Sequence, residues 1–230
     1  MARPSNKTQA DRIISFLKNL KPDFKLPLGV EILNPFEDKK NFALVKAFYK
    51  KYYSDSNRRY FIFGINPGRL GGGITGIPFT DPEKLQNICG IANQFPQKKE
   101  LSASFIYAMI EKMGGAETFY KDYFITAVCP LGFIKDNRNL NYYDDPKLII
   151  ASESFILDCI KVQCLKLDPE PVCFCLGEGD NFRYLNKLNK DNHYFERIIA
   201  LPHPRWIMQY RRKKLNEFIQ LYQDRFQSVR

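Results

Sequence analysis

Four short apolar runs, each followed by a glycine or proline turn, constrain most strongly how this chain of 230 residues can fold. They occupy 59–63, 123–128, 171–177 and 197–201. Segments with apolar residues at helical spacing lie before and between them, at 41–53, 102–113, 147–165 and 181–190. Strands that alternate with helices are typical of a mostly parallel sheet with helices on both faces. The sequence therefore predicts an α/β fold, a three-layer sandwich around a central, mostly parallel four-stranded sheet.

The whole chain, 1–230, is interpreted as a single domain, because it contains no repeat, low-complexity tract or linker. An amphipathic segment at 11–20 predicts a helical N-terminal extension before a core of about 30–225. The start of the chain is polar, and no apolar stretch is long enough to span a membrane. The six cysteines form no Cys-x-x-Cys pair and the chain has two histidines, which disfavours zinc and iron–sulfur sites. We therefore expect a cytoplasmic protein with reduced thiols and without a metal or other cofactor.

The charge of the chain favours a polyanionic partner, and nucleic acid first. The formal net charge is +10, and part of it is concentrated near the C-terminus. Basic and aromatic residues alternate there, and we predict that they bind DNA: Arg205, Trp206, Tyr210, Arg211, Arg212 and Lys213. The segment from Leu215 onwards has helical apolar spacing and would pack on the core. Both interpretations can hold if the apolar face points inward and the basic start points outward.

The turn after the first apolar run carries the most specific candidate site. The run ends in Gly64-Ile65-Asn66-Pro67-Gly68, which places a neutral amide at the carboxyl end of a strand, where ligands bind in open α/β sheets. A glycine-rich stretch at 70–77 follows, and Phe79 comes 13 residues after Asn66. An amide, exposed backbone N–H groups and an aromatic face suit a nucleobase better than a bare phosphate, although a plain strand and flexible turn would have the same pattern.

Two phosphate-binding motifs are excluded. The chain has no Gly-Lys-Ser/Thr, so a P-loop is not supported. Gly71, Gly73 and Gly76 have Gly-x-Gly-x-x-Gly spacing, but they begin eight residues after Phe63 and Pro78 follows closely. The tight strand-turn-helix of a dinucleotide site is therefore not in evidence.

The segments 64–68 and 75–79 together resemble the first motif of the SMUG-type uracil-DNA glycosylases. Cys129-Pro130-Leu131, followed by Arg138-Asn139-Leu140, resembles the central motif of that family, and Pro202-His203-Pro204-Arg205 stands where its second motif is expected. The resemblance covers roughly 30–225 and implies a uracil-DNA glycosylase-like fold. Two departures, described below, suggest a divergent, bacterial-type branch.

The resemblance implies a monofunctional DNA glycosylase of base excision repair. Such an enzyme flips a base out of the duplex and hydrolyses its N-glycosidic bond, here to uracil, xanthine or hypoxanthine, without a metal and without a lyase step. By matching position, Asn66 would position the attacking water, Phe79 would stack on the base, and His203 would donate toward the base oxygen that gains charge. Arg205 and its neighbours would enter or clamp the DNA. We expect a monomer associated with the bacterial nucleoid.

The expected base-binding residues come from the first motif and from the end of the second predicted strand: Gly64, Ile65, Pro67, Gly68, Phe79, Thr126, Ala127 and Cys129. Ala127 stands where the family usually has an asparagine that reads the base edge, so Thr126 or backbone groups would have to substitute. His203 is displaced by two residues from the usual histidine. Cys129 is expected to be a structural thiol and not a nucleophile, because its segment is apolar.

Two alternative functions remain open at this point. A catalytically inactive nucleic-acid-binding protein of the same fold would explain both departures. An α/β enzyme that acts on free nucleotides would explain the glycines, but the missing P-loop counts against it.

Overall fold

The computed structural model describes residues 7–229 of the chain. Within this range lie seven strands, β1 (Val30–Leu33), β2 (Tyr60–Gly64), β3 (Tyr123–Ala127), β4 (Gly132–Lys135), β5 (Arg138–Leu140), β6 (Val172–Leu176) and β7 (Arg197–Leu201). Strands β2, β3, β6 and β7 form a parallel sheet in the order β3-β2-β6-β7. The predicted α/β fold with a central four-stranded parallel sheet is confirmed.

Ten α-helices connect and flank these strands within the described residues. They are α1 (Gln9–Lys18), α2 (Lys39–Tyr52), α3 (Gly72–Thr75), α4 (Pro82–Asn87), α5 (Leu101–Lys112), α6 (Ala116–Asp122), α7 (Pro146–Leu167), α8 (Asp180–Asn192), α9 (Pro204–Tyr210) and α10 (Leu215–Gln227). The predicted long helices are present, and capping side chains set several of their ends. Thr8 and Asp11 form a capping box at the start of α1, and the Asp38 carboxylate accepts from the backbone N–H of Asn41 at the start of α2.

A small antiparallel sheet was not predicted. Its strand order is β1-β4-β5, and Phe133 of β4 pairs with Leu140 of β5. The two residues between these strands, Asp136 and Asn137, have φ values of 49° and 57°, which is the left-handed region that a two-residue hairpin turn requires. This hairpin carries the segment 138–142 toward the carboxyl edge of the central sheet.

Aromatic side chains fill the core around the central sheet. Phe174 of β6 packs against Phe226 of α10 with ring centroids 4.6 Å apart, and both side chains are fully buried. The same face of α10 buries Ile219 and Tyr222, whereas the basic turn before it, Arg212–Lys214, is exposed. The C-terminal segment therefore has the inward apolar face and outward basic start that its sequence indicates. Among the described residues, the helices are too short or too polar to cross a membrane.

Candidate active site

The carboxyl ends of β2 and β3 open into a cavity that the start of α9 closes from the other side. Gly64 pairs with Ala127 in the parallel register, so the two strands end side by side. The lining includes most of the predicted base-binding residues, namely the segment 64–68, Phe79, Thr126 and Ala127, and also His203 and Arg205. The first and second motif segments are thus brought together although more than 120 residues separate them along the chain.

Asn66 is held by two hydrogen bonds to the backbone at the end of β5 and just after it. Its Nδ2 donates to the carbonyl of Leu140 and its Oδ1 accepts from the N–H of Tyr142, both at 3.1 Å. A primary amide has two N–H donors and two oxygen lone pairs, so one of each remains for a ligand or a water. The side chain therefore joins the turn after β2 to the small sheet, and its orientation is fixed before any substrate arrives.

Phe79 forms a wall of the cavity because β2 ends in a glycine. A Cβ atom on Gly64 would lie 2.7 Å from one ring carbon of Phe79 and 2.9 Å from another, so the ring occupies the space of the missing side chain. Phe79 has a φ of 52°, an uncommon backbone conformation for an aromatic residue. The ring centroid lies 6.0 Å from that of His203, with 50° between the planes.

His203 is the N-cap residue of α9, and this role determines its tautomer. Its Nδ1 accepts from the backbone N–H of Arg205 at 3.1 Å, so in the neutral ring the hydrogen is on Nε2. Burial, and then the positive charge of Arg205, lower the pKa of His203 to about 4. The ring is therefore neutral near pH 7 and can offer Nε2–H as a hydrogen-bond donor to a ligand.

The side chains at the end of β3 offer little to a base edge. The hydroxyl of Thr126 donates to Oε1 of Gln163 on α7 at 2.6 Å, so its proton is already used. Ala127 presents only a methyl group. Thr126 lines the cavity, but while its hydroxyl donates to Gln163 it can offer a base edge only its oxygen as an acceptor, so its substitution for the missing asparagine stays a prediction beside that of the backbone groups.

Cys129 does not line the cavity. It is fully buried, and burial raises the pKa of its thiol to about 12. The expectation that it contacts the base is wrong because the chain turns inward after Ala127, where the backbone N–H of Cys129 donates to the carbonyl of Ile65. A structural thiol fits this environment.

The glycine-rich stretch serves mainly to pack the protein against itself. Residues 72–75 form the short helix α3, and a Cβ on Gly73 would lie 2.7 Å from the carbonyl oxygen of Gly68. Gly76 has a φ of 73° and lies against Val45. Among the glycines from 71 to 76, Gly72 lines the cavity. The backbone N–H groups of Gly73 and Gly76 donate to the carbonyls of Gly68 and Gly72, so the exposed N–H groups that the sequence suggested are in part used within the chain.

The predicted DNA-binding residues lie on the outer surface of α9 and on the turn that follows it. Trp206 and Tyr210 are exposed, and the guanidinium of Arg211 lies 5.0 Å from the centre of the Trp206 ring. Arg212 and Lys213 are exposed as well. Arg205 is the member of this group that lines the cavity, and it lies two residues after His203 along the chain.

Four further polar residues of the cavity were not predicted as site residues: Glu100, Ser102, Asn139 and Asn141. Asn139 accepts from the backbone N–H of Arg69 at 3.0 Å, so it also supports the turn after the first motif. Glu100 precedes α5 in a run of polar residues that the sequence does not distinguish from a solvated loop. Within residues 7–229, no group of three or more histidine, cysteine or acidic side chains is arranged to hold a metal ion.

Comparison with known proteins identifies the family. Residues 50–227 match the model of the uracil DNA glycosylase superfamily. The chain is also similar to the crystal structure of wild-type Pedobacter heparinus SMUG2, with 45% sequence identity and a TM-score of 0.92. The matched region covers 96% of this chain and 98% of that one.

Proposed function

We propose that this chain, a SMUG-type DNA glycosylase, excises uracil or another deaminated base from DNA in base excision repair. The chain belongs to the uracil-DNA glycosylase superfamily, whose members act on N-glycosyl bonds. The observation that carries the proposal is the Asn66 side chain, which two backbone hydrogen bonds hold in place at the cavity while leaving one donor and one acceptor unused. The family membership supports the reaction class, and the geometry supports the roles below.

The reaction requires the target base to leave the duplex, because the bond to the sugar cannot be reached inside the stack. Flipping costs a few kcal/mol, which the positive surface of α9 and stacking on Phe79 offset. Stacking on an aromatic ring tolerates different bases, since every base has a π-face.

Cleavage of the glycosidic bond leaves positive charge on the sugar and negative charge on the departing base. The Nε2–H of His203 is positioned to stabilise the negative charge, and a preorganised donor of this kind contributes roughly 10²–10³-fold in rate. Since the ring is neutral, it donates a hydrogen bond without having to lose a proton first. Asn66 is too weak a base to take a proton from water, so its role is to orient the water that attacks the sugar cation.

The cavity favours deaminated bases through a shared feature of their chemistry. Deamination replaces an amino group by a carbonyl oxygen, which gives uracil, xanthine and hypoxanthine an acceptor that a donor such as His203 can use. Because Ala127 and Thr126 offer no side-chain donor toward the base edge, we expect a broader choice of base than an asparagine at position 127 would allow.

The experiment that tests the proposal must separate catalysis from structural support, because Asn66→Ala also removes two backbone hydrogen bonds. Asn189 is a matched control. Its amide likewise donates to one backbone carbonyl and accepts from one N–H, both of Phe195 at 2.8 Å, and it does not line the cavity. Each variant should lose on the order of 2 kcal/mol of unfolding free energy.

Duplex and single-stranded oligonucleotides containing uracil, xanthine, hypoxanthine or a thymine mismatch are treated with enzyme and then with alkali, which breaks abasic sites. We expect strand breaks from wild type and from Asn189→Ala, and a loss of at least 100-fold in Asn66→Ala. Equal activity of the two variants would contradict the role of Asn66. Salt-dependent DNA binding without breaks on any substrate would identify an inactive binding protein, which the alanine at 127 makes the second candidate.

A further inference from the structure

A groove lined by four cations adjoins the candidate active-site cavity. The cations are Arg69, Lys99, Arg138 and Arg205, and at about 420 Å³ the groove is larger than the cavity, which measures about 80 Å³. Lys99 lies 3.6 Å from the carboxylate of Glu83. Among the described residues, the three arginines have no carboxylate oxygen within 4.0 Å. Their charge is therefore available to an anion from outside the chain.

Glu100 lines both the groove and the cavity, as do Ser102, Asn139 and Arg205, and so forms part of the wall between them. Its backbone N–H donates to Oδ2 of Asp81 at 2.9 Å, which fixes the start of α5. Its carboxyl group lies where a side chain on Gly71 would be, since a Cβ there would lie 2.1 Å from Oε2. Oε2 is buried, and no described residue donates a hydrogen bond to it. A buried acceptor without a partner is costly, so this oxygen needs a proton or a ligand.

The charged groups around Glu100 come from several elements. Asp81 faces it from the start of α4 and Arg205 from α9. Arg69 and Arg138 line the same groove, and Lys99 precedes Glu100 along the chain. Burial, and then the negative charge of Asp81, raise the pKa of Glu100 to about 7, and Arg205 opposes the increase. Near neutral pH the carboxyl group is therefore divided between its protonated and ionised forms.

We propose that the groove holds the phosphodiester next to the flipped nucleotide and that Glu100 takes up one proton when DNA binds. The inference rests on the proposed function, since it assumes a DNA substrate. A phosphate drawn in by the arginines stands beside the carboxyl group at the groove wall, where an ionised carboxylate repels it and a protonated one can donate O–H to a phosphate oxygen. The proton comes from the solvent and is bound by a carboxyl oxygen of Glu100; no other bond forms or breaks.

The test measures DNA affinity as a function of pH with a substrate that is bound but not cleaved. A duplex with 2′-fluoro-arabino-deoxyuridine serves as the probe, because the fluorine disfavours the sugar cation. At constant ionic strength, we expect wild-type Kd to be roughly tenfold weaker at pH 8 than at pH 6, the change for one proton taken up. Glu100→Gln, which stays neutral, should bind at pH 8 as wild type does at pH 6. Glu31→Gln, which removes an exposed carboxylate on β1 that does not line the groove, should keep the wild-type dependence.

One further measurement does not depend on how well any variant folds. Titration calorimetry of the wild type in buffers of different ionisation enthalpy should show uptake approaching one proton near pH 8, where the free carboxyl group is mostly ionised. Arg138→Ala should weaken binding and reduce the slope of log Kd against log salt by about one. A pH-independent wild-type Kd, zero proton uptake or an unchanged pH dependence in Glu100→Gln would each overturn the inference. Cleavage of a uracil duplex by the same wild-type preparation would then show that the proposed function stands while the proton linkage fails.

Discussion

Replacing Gly64 by alanine tests whether the cavity depends on close contact between β2 and the Phe79 ring. The added Cβ would lie 2.7 Å from a ring carbon, whereas ordinary contact begins near 3.4 Å, so the ring has to recede by about 0.7 Å. Overpacking typically costs about 1–3 kcal/mol, and we expect about 1 kcal/mol because the ring borders a cavity into which it can move. A displacement approaching 1 Å at a substrate-positioning group can cost on the order of 10²-fold, so we expect cleavage to slow roughly 10- to 100-fold.

The assay is single-turnover cleavage of a uracil duplex at saturating enzyme, with denaturant unfolding measured in parallel. Gly179→Ala is the matched control, because a Cβ there meets no atom within 4 Å, and it should match wild type in cleavage. Phe79→Ala removes the ring and should itself slow cleavage roughly 10- to 100-fold through lost stacking. Adding Gly64→Ala to that variant should then change the rate by less than about twofold, since the clash is gone. Wild-type cleavage in Gly64→Ala, or an undiminished effect in the double variant, would refute the reasoning.

The remaining predictions concern pH, thiol chemistry and stability. Because the pKa of His203 is lowered to about 4, its ring stays neutral between about pH 8 and about pH 5. The single-turnover cleavage rate at saturating DNA should therefore not change with pH in this range, and an inflection near pH 6.5 would contradict this role of the neutral ring. The variant Cys129→Ala should retain cleavage activity. Because burial raises the pKa of the Cys129 thiol to about 12, iodoacetamide at about pH 7.5 should not label it in the folded protein, which mass spectrometry can check. Arg59 is 2% exposed and donates hydrogen bonds to Asp55 and to three backbone carbonyls. Replacing it by alanine should lower the free energy of unfolding by on the order of 3 kcal/mol. The same substitution at the half-exposed neighbour Arg58 should lower the free energy of unfolding by less than about 1 kcal/mol. Equal losses in the two variants, measured by denaturant unfolding, would argue against a stabilising role of the buried hydrogen bonds of Arg59.

The central sheet could be predicted from the sequence because each of its strands is a continuous apolar run that ends in a turn residue. Parallel strands are buried on both faces, so they leave this pattern regardless of their partners. The long helices could be predicted for a similar reason, since their apolar residues recur at helical spacing. The hairpin β4–β5 could not, because Arg138–Leu140 has three residues, two of them exposed, and pairs only with another short strand. The short helices α3, α4, α6 and α9 are likewise too brief for a periodic pattern to appear.

From the sequence, site residues could be predicted only where they lie beside a strand end or inside a recognisable motif. Asn66, Phe79 and His203 are of this kind, and the structure brings them to one cavity. Glu100 was missed as a site residue because it lies in a run of polar residues before α5. Asn139 belongs to the central-motif segment, but nothing in the sequence indicates that the hairpin brings its side chain to the turn after the first motif. The hydrogen bond that occupies the Thr126 hydroxyl could not be predicted either, since its partner Gln163 is 37 residues away along the chain.

The sequence by itself determined the order of the four central strands and the long helices, the sheet edge at which a site is expected and the family to which the chain belongs, because these depend on local pattern and on motif residues. Only the tertiary structure decided the state of each group in the site. It assigns the hydrogen of His203 to Nε2, holds both ends of the Asn66 amide and leaves one oxygen of Glu100 buried without a partner. Hydrogen-bond partners and burial are properties of residues brought together across the chain, and a pattern along the chain does not contain them.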